Sequence, residues 1–316
     1  MSLAQRTGNV DVSVLVPAKD EAENLPEFLR QCAEAFATVP WTAEVVVVND
    51  GSEDDTPGVL RELAAAHPFL RVVTHRSRRG IADALRSGAD EARGRILVFY
   101  PADLQFLPAE IPSLVEPIRQ GEADVVTGTK QGHYDKAFVS GIYNTLCRWL
   151  FGVRVTDLNA VKAYRREVMD VLPTRPDWHR FMVVIAATEG FRLAERPVTL
   201  HPRRAGKSKF GLGRIPVGVL DLLSVWFQLR FGRKPLLFFG LAGGILFVLG
   251  FLAGVAAIIL RFGYGIGLRP LLYLVILLVV AGIALFGFGF VGELLAGTRE
   301  ELRALARRLD RDGPTD

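Results

Sequence analysis

The chain has 316 residues, enough for one large α/β domain and a further part. Half of the residues are hydrophobic, more than a soluble enzyme of this size needs, and two cysteines, Cys32 and Cys147, are too few and too distant for a disulfide framework or a cysteine-built zinc cluster. A formal charge of +4, with no extended basic face or recognition module, argues against a nucleic-acid-binding protein.

The start, MSLAQRTGNVDVSVLVPAKDE, lacks the basic opening, long apolar stretch and small-residue cleavage site of a signal peptide, so residues 1–234 are expected to stay in the cytoplasm. Short apolar runs at Val12–Val16, Glu44–Val48, Arg71–Thr74, Arg95–Phe99 and Asp124–Thr127 predict buried strands. Helical patterns lie between them at Glu23–Phe36, Thr56–Ala66, Ile81–Ala92 and Pro108–Gln120. Strand and helix alternating at this spacing predict βαβ units and a mainly parallel sheet with helices on both faces. Ligands of such sheets bind beyond the carboxyl ends of the strands.

The residues at those ends are polar. Pro17-Ala18-Lys19-Asp20-Glu21 follows the first strand, without the G-x-G-x-x-G of a dinucleotide site. Asn49-Asp50-Gly51-Ser52 follows the second. A carboxylate there can accept hydrogen bonds from a base or ribose, although Asp-Gly-Ser also makes an ordinary turn and Asp55 or Thr56 a helix cap. Tyr100-Pro101-Ala102-Asp103-Leu104-Gln105 follows the fourth. Asp103 and Gln105 offer two hard oxygen ligands, the number used when a diphosphate completes the shell of Mg²⁺ or Mn²⁺; a turn and cap is the plainer reading of the same residues.

Farther on, Arg203, Arg204, Lys207 and Lys209 place four cations in seven residues. Residues 214–234 follow, with Ile215, Val219, Leu222, Leu223, Trp226, Phe227 and Leu229 forming a broad apolar surface, as in a helix lying in a membrane interface or packed on the domain. From Pro235 to Leu260 and from Pro270 to Gly292 no residue is charged, runs of 26 and 23 residues. Each exceeds the ~20 needed to cross a bilayer as a helix. Arg230, Arg233 and Lys234 precede the pair and Arg299, Arg303, Arg307, Arg308 and Arg311 follow it, which puts both ends on the cytoplasmic side of the inner membrane. Four parts are expected: a domain over 1–213, an interfacial amphipathic helix over 214–234, a two-helix hairpin over 235–296 and a cytoplasmic tail over 297–316.

Taken in order, VPAKDEAENL, VVVVNDGSEDDT, RRGIADALRSGADEARG, PADLQ and HPRRAGKSKFGLGR, then two spans, resemble the family 2 inverting glycosyltransferases. Within that family the chain is similar to the polyprenyl-phosphate branch, from about Val12 to Glu293. The resemblance implies a GT-A-type, Rossmann-like domain, a nucleotide-sugar donor (UDP- or GDP-linked), a polyprenyl-phosphate acceptor such as undecaprenyl or dolichyl phosphate, Mg²⁺ or Mn²⁺, and a homo-oligomer at the membrane. It implies nucleotide binding at Pro17, Lys19, Glu21, Asp50, Gly80, Ala102 and Asp103. Metal binding falls to Asp103 and Gln105, and Asp103, Arg203 and Lys209 become catalytic candidates. Lys130, Ser140, Lys162, Arg204 and Lys207 fall on the acceptor phosphate, and His179-Arg180 matches a pair near the active site. Five departures stand out: Lys19 and Asp20 replace an aromatic and an Asn, Pro101 replaces the first Asp of the D-A-D-L-Q motif, and Lys130 and Lys162 stand where Arg is usual. Lysine binds phosphate as a point charge without the two-pronged fork of arginine. The resemblance implies an acceptor phosphate that is already anionic and would attack without a strong base, with inversion at the sugar carbon. The rivals are a non-catalytic, membrane-anchored nucleotide-sugar-binding protein and a polysaccharide synthase, for which no Q-x-x-R-W motif is present.

Overall fold

The computed structural model describes residues 10–131, 145, 147, 149–153, 156–157, 160–172, 178–202, 215–232 and 234–311. The chain divides into two compact units, Met1–Leu222 and Leu223–Asp316.

The first unit is built on a seven-stranded sheet. Its strands are β1 (Val12–Ala18), β2 (Ala43–Asp50), β3 (Leu70–His75), β4 (Ile96–Phe99), β5 (Val125–Gln131), β6 (Lys162–Arg165) and β7 (Leu193–Thr199), in the spatial order β3-β2-β1-β4-β6-β5-β7. β1 pairs in parallel with both β2 and β4, and β2 with β3. β6 runs antiparallel between β4 and β5, while β5 and β7 are parallel. The sheet is therefore mostly parallel with one reversed strand, which the apolar patterning did not announce. β6 is four residues long and opens on a lysine, and β7 carries Glu195, Arg196 and Pro197, so neither reads as an apolar run.

The central strands are buried on both faces, so their sequences are nearly continuous in Val and Leu. Val12, Val14 and Val16 share a core with Leu25, Phe28, Leu29 and Cys32 of helix α1 (Leu25–Ala37), Leu60 of α2 (Thr56–Ala66) and Ile111, Leu114, Val115 and Ile118 of α4 (Ile111–Arg119). On the other face α3 (Ile81–Glu91) packs close, its Gly88 against Leu15 and Val48. Burying each such Val or Leu contributes about 1.5–3 kcal/mol. Two short helices complete the described part, α5 (Val168–Val171) and α6 (Met182–Thr188). Buried Arg166, just before α5, donates to the carbonyls of Ala89, Ala92 and Gly94, satisfying the end of α3 and the turn into β4.

Helix α7 (Ile215–Phe231) is apolar around most of its girth, with a narrow polar strip of Asp221, Ser224 and Gln228. The second unit contains α8 (Pro235–Gly263) and α9 (Arg269–Arg311), an antiparallel pair. Pro235–Gly263 and Arg269–Leu302 are long and apolar enough to cross a membrane, and most of their large apolar side chains are exposed. Glycine lets the two backbones touch: a Cβ on Gly243 would lie 2.6 Å from the Gly282 carbonyl, and one on Gly282 2.7 Å from that of Gly243. At the start of α8, Glu293 of α9 accepts a hydrogen bond from the Leu236 amide at 3.2 Å, meeting one of the helix's unpaired donors. Phe227, Phe231, Phe238 and Phe239 form an aromatic cluster at this end.

Candidate active site

The sheet topology gathers the chemistry on one edge. β1 to β4 all end there, and so do β5 and β7. Because β6 is reversed, its first residue, Lys162, begins at that same edge, paired with Phe99 at the end of β4.

On the side of β1 and β2 two turns interlock. Pro17, the last residue but one of β1, lies in register with Val48. Lys19 Nζ donates to the Gly51 carbonyl and to Glu53 Oε1, both at 3.0 Å, and the hydrogen bond from Glu53 holds its pKa above the ordinary lysine value. Asp20, with φ at +56°, donates its amide to Ser52 Oγ and accepts the Glu53 amide at 2.8 Å. The Glu21 amide donates to Thr56 Oγ1, and its carboxylate accepts from Asn24 Nδ2 at 2.7 Å. Thus Thr56 and the Asp54 side chain serve this junction as well as the entry to α2.

Asp50, at the end of β2, is buried. Its Oδ1 lies 2.9 Å from His75 Nδ1 and accepts the Arg79 amide at 2.7 Å, while Oδ2 accepts the Gly80 amide at 2.8 Å. Burial works to raise its pKa, but the His75 and backbone hydrogen bonds outweigh it and hold the carboxyl below the usual range. Gly51 and Gly80 both have positive φ, +66° and +99°. At Gly51 a Cβ would sit 2.6 Å from the Arg78 nitrogen, so only glycine lets the loop after β3 approach this closely.

Beyond β4, Ala102 and Leu104 are buried, and Leu104 has φ at +57°. That left-handed residue bends the chain so that the backbone amide of Gln105 donates to Asp103 Oδ1 at 3.2 Å. The donor set is chemically suited to a hard cation, with two protein oxygens to be completed by phosphate. Among the described residues no group of three or more His, Cys, Asp or Glu could hold a metal by itself. The His201 amide donates to the Gln105 carbonyl at 2.8 Å, tying the end of the β7 segment to this turn.

The other half of the edge carries two lysines and an aspartate. Lys130 Nζ lies 3.2 Å from Asp157 Oδ2, both largely buried. Lys162 is 1% exposed, donates to the Ala160 carbonyl at 2.8 Å and lies 5.8 Å from the centre of the Phe99 ring. Burial, aided by Lys130 and opposed by Asp157, pushes its pKa down to about 7. The ring of His179 stands edge-on to Phe99, and its Nδ1 is buried with no hydrogen-bond partner. Burial, then Lys162 and Arg180, push that imidazole down to about 3, so it is neutral at physiological pH.

Pro17, Lys19, Glu21, Asp50, Gly80, Ala102, Asp103, Gln105, Lys130 and Lys162 therefore all lie along one edge. Ser140, Arg203, Arg204, Lys207 and Lys209 lie outside the described residues. The motifs did not single out His75, which has an ordinary strand sequence around it and whose partner is 25 residues away. Its signal was a histidine closing the third strand, at a position equivalent to Asp50 in the second.

Residues 13–164 match the model of Glycosyl transferase family 2. The dodecaprenyl-phosphate galacturonate synthase of Rhizobium johnstonii is 30% identical over 304 residues, covering 92% of this chain and 89% of that protein. The undecaprenyl-phosphate 4-deoxy-4-formamido-L-arabinose transferase of Klebsiella pneumoniae strain 342 is also 30% identical over 304 residues, covering 94% and 91%. Among solved structures, glucosyl-3-phosphoglycerate synthase of Mycobacterium tuberculosis, in complex with Mn²⁺, UDP and its product, aligns with a TM-score of 0.54 at 20% identity, covering 72% of this chain and 84% of that one. That likeness establishes the GT-A-type fold. The chain belongs to glycosyl transferase family 2, in its polyprenyl-phosphate glycosyltransferase branch.

Proposed function

We propose that this enzyme transfers a hexose-type sugar from a UDP- or GDP-linked donor to a polyprenyl phosphate at the cytoplasmic face of the inner membrane, with Mg²⁺ or Mn²⁺. The observation that carries the reading is the division of one sheet edge. Asp50, Gly80 and Asp103 line the half built from β1 to β4, and Lys130 and Lys162 the half built from β5 and β6. A donor and an anionic acceptor set on these halves would meet near Phe99.

In this reading the turns at Pro17–Glu21 and Asp50–Gly51 take the nucleoside. A carboxylate has about four accepting positions, so Asp50 keeps one for a base N–H after its three protein partners. Asp103 and Gln105 would hold the divalent cation, which when bound neutralises charge on the departing diphosphate. The acceptor oxygen is already anionic and needs no proton removed. It forms the new bond to the anomeric carbon as the bond to the nucleotide diphosphate breaks, inverting that carbon. Lys130 and Lys162 hold the phosphate in place, so the chain's contribution is positioning and charge neutralisation. Arg203, Arg204, Lys207 and Lys209 add cations for the two phosphate groups. The helices α8 and α9 would anchor the domain to the bilayer that holds the acceptor, with both chain ends cytoplasmic, and copies of the chain would associate.

The test is to incubate the full-length protein in detergent with undecaprenyl phosphate, Mn²⁺ or Mg²⁺ and a panel of UDP- and GDP-sugars, and to detect glycolipid by mass spectrometry. A product that disappears on chelation and in Asp103→Ala is expected. Nucleotide binding without product from any donor would favour the non-catalytic reading, with Pro101 the residue to revert to Asp.

A further inference from the structure

We infer that His75, with Ser87 behind it, is a positioning residue for the donor: it acts through Asp50 to hold the loop Arg76–Gly80 in its observed path beside the proposed donor half-site. The inference rests on the donor half-site proposed above and names the device that shapes it.

Four observations meet at this point. His75 is 5% exposed and Asp50 6%, so neither side chain turns to water for its hydrogen bonds. Nδ1 of His75 is 2.9 Å from Asp50 Oδ1, and Nε2 is 3.0 Å from Ser87 Oγ in α3. A carboxylate only accepts, so the proton between Asp50 and His75 sits on Nδ1, leaving Nε2 to face the Ser87 hydroxyl. The same Asp50 oxygens accept the amides of Arg79 and Gly80 at 2.7 and 2.8 Å. Asp50 is therefore the single anchor for two successive amides of the loop, and His75 and Ser87 set where its carboxylate points.

The loop itself has little else to fix it. Arg76, Ser77, Arg78 and Arg79 are all exposed, and Gly80 has φ at +99°. The close approach of Arg78 to Gly51 allows one backbone path past the end of β2. Such a loop, held by one carboxylate and carrying three arginines at the nucleotide edge, would bind a diphosphate only when its backbone is pinned. Loss of the histidine's hydrogen bond leaves a buried carboxylate short of a donor, so Asp50 would turn and release the two amides.

Three variants of the full-length protein separate this from a merely structural role. His75→Leu removes both hydrogen bonds, His75→Asn keeps an N–H in reach of Asp50, and Ser87→Ala removes only the far bond. Hydrogen exchange at the Arg79 and Gly80 amides reads the pinning directly, and binding of UDP and of GDP with Mn²⁺ reads its consequence whether or not a sugar donor has been found. In His75→Leu both amides should exchange about tenfold faster or more, with nucleotide affinity falling by a similar factor. His75→Asn should restore most of both, and Ser87→Ala should show a smaller shift in the same direction. Where a donor turns over, its KM should rise in His75→Leu with kcat nearly kept. Unchanged exchange at these two amides in a folded His75→Leu protein would overturn the inference. So would equal damage in His75→Asn, or faster exchange spread evenly over the whole sheet. If exchange and nucleotide binding respond but no glycolipid forms, the donor half-site stands and the transfer reaction is what fails.

Discussion

Lys162 carries a consequence beyond the acceptor role proposed for it. Burial pushes its pKa from 10.5 to about 7. Between those values the unfolded chain holds the proton and the folded chain does not, so stability rises with pH across that window. Below about 7 the full cost of burying the cation is present, and above about 10.5 it is gone. Lys162→Met should therefore melt a few degrees higher than the parent at pH 6, by an amount that shrinks towards pH 10, while acceptor turnover is lost throughout. Melting curves of the two proteins over that pH range check the sign. Arg166 is also buried, but its guanidinium donates to three carbonyls, those of Ala89, Ala92 and Gly94, which its loss would leave without these bonds. Arg166→Met should cost about 3 kcal/mol, seen as a lowered melting temperature, and should leave the donor KM of the surviving folded protein unchanged.

At the scale of elements, the positions of the residues proposed for the donor were readable because each directly follows an apolar strand. Asp50, Asp103 and Gln105 needed only the rule that ligands gather at carboxyl ends. The acceptor half was harder to place from pattern. Lys162 starts a strand instead of ending one, and a lysine buried against Phe99 has the same one-letter appearance as a lysine in water. The Asp50–His75 pair spans two strands, and sequence spacing does not encode which side chains of neighbouring strands turn towards each other. The apolar helices were plain from composition, but their contact was not, since it depends on which glycines face inward. Gly243→Leu should split the α8–α9 pair, because its Cβ would already lie 2.6 Å from the Gly282 carbonyl. Gly244→Leu, one position along with nothing within 4 Å, is the matched control. Thermal aggregation in detergent should rank Gly243→Leu well below Gly244→Leu and the parent.

For the whole molecule, the two units differ in the surface they expose. The sheet unit buries most of its apolar residues, while the second leaves Phe251, Ile258, Leu272, Leu277 and Phe288 exposed along helices long and apolar enough to cross a membrane. Depleting detergent should therefore aggregate the full-length chain, and light scattering on dilution below the micelle concentration tests this. The active edge is also divisible along the chain: the side chains proposed for the base and the cation are complete by Gln105, and Lys130 and Lys162, proposed for the lipid phosphate, come only after it. A chain organised in this way can be regrafted. Replacing residues 125–200 with the matching stretch of a relative that prefers another lipid should carry over the preference for isoprenoid length or headgroup, and competition between donors should leave the choice of sugar nucleotide where it was.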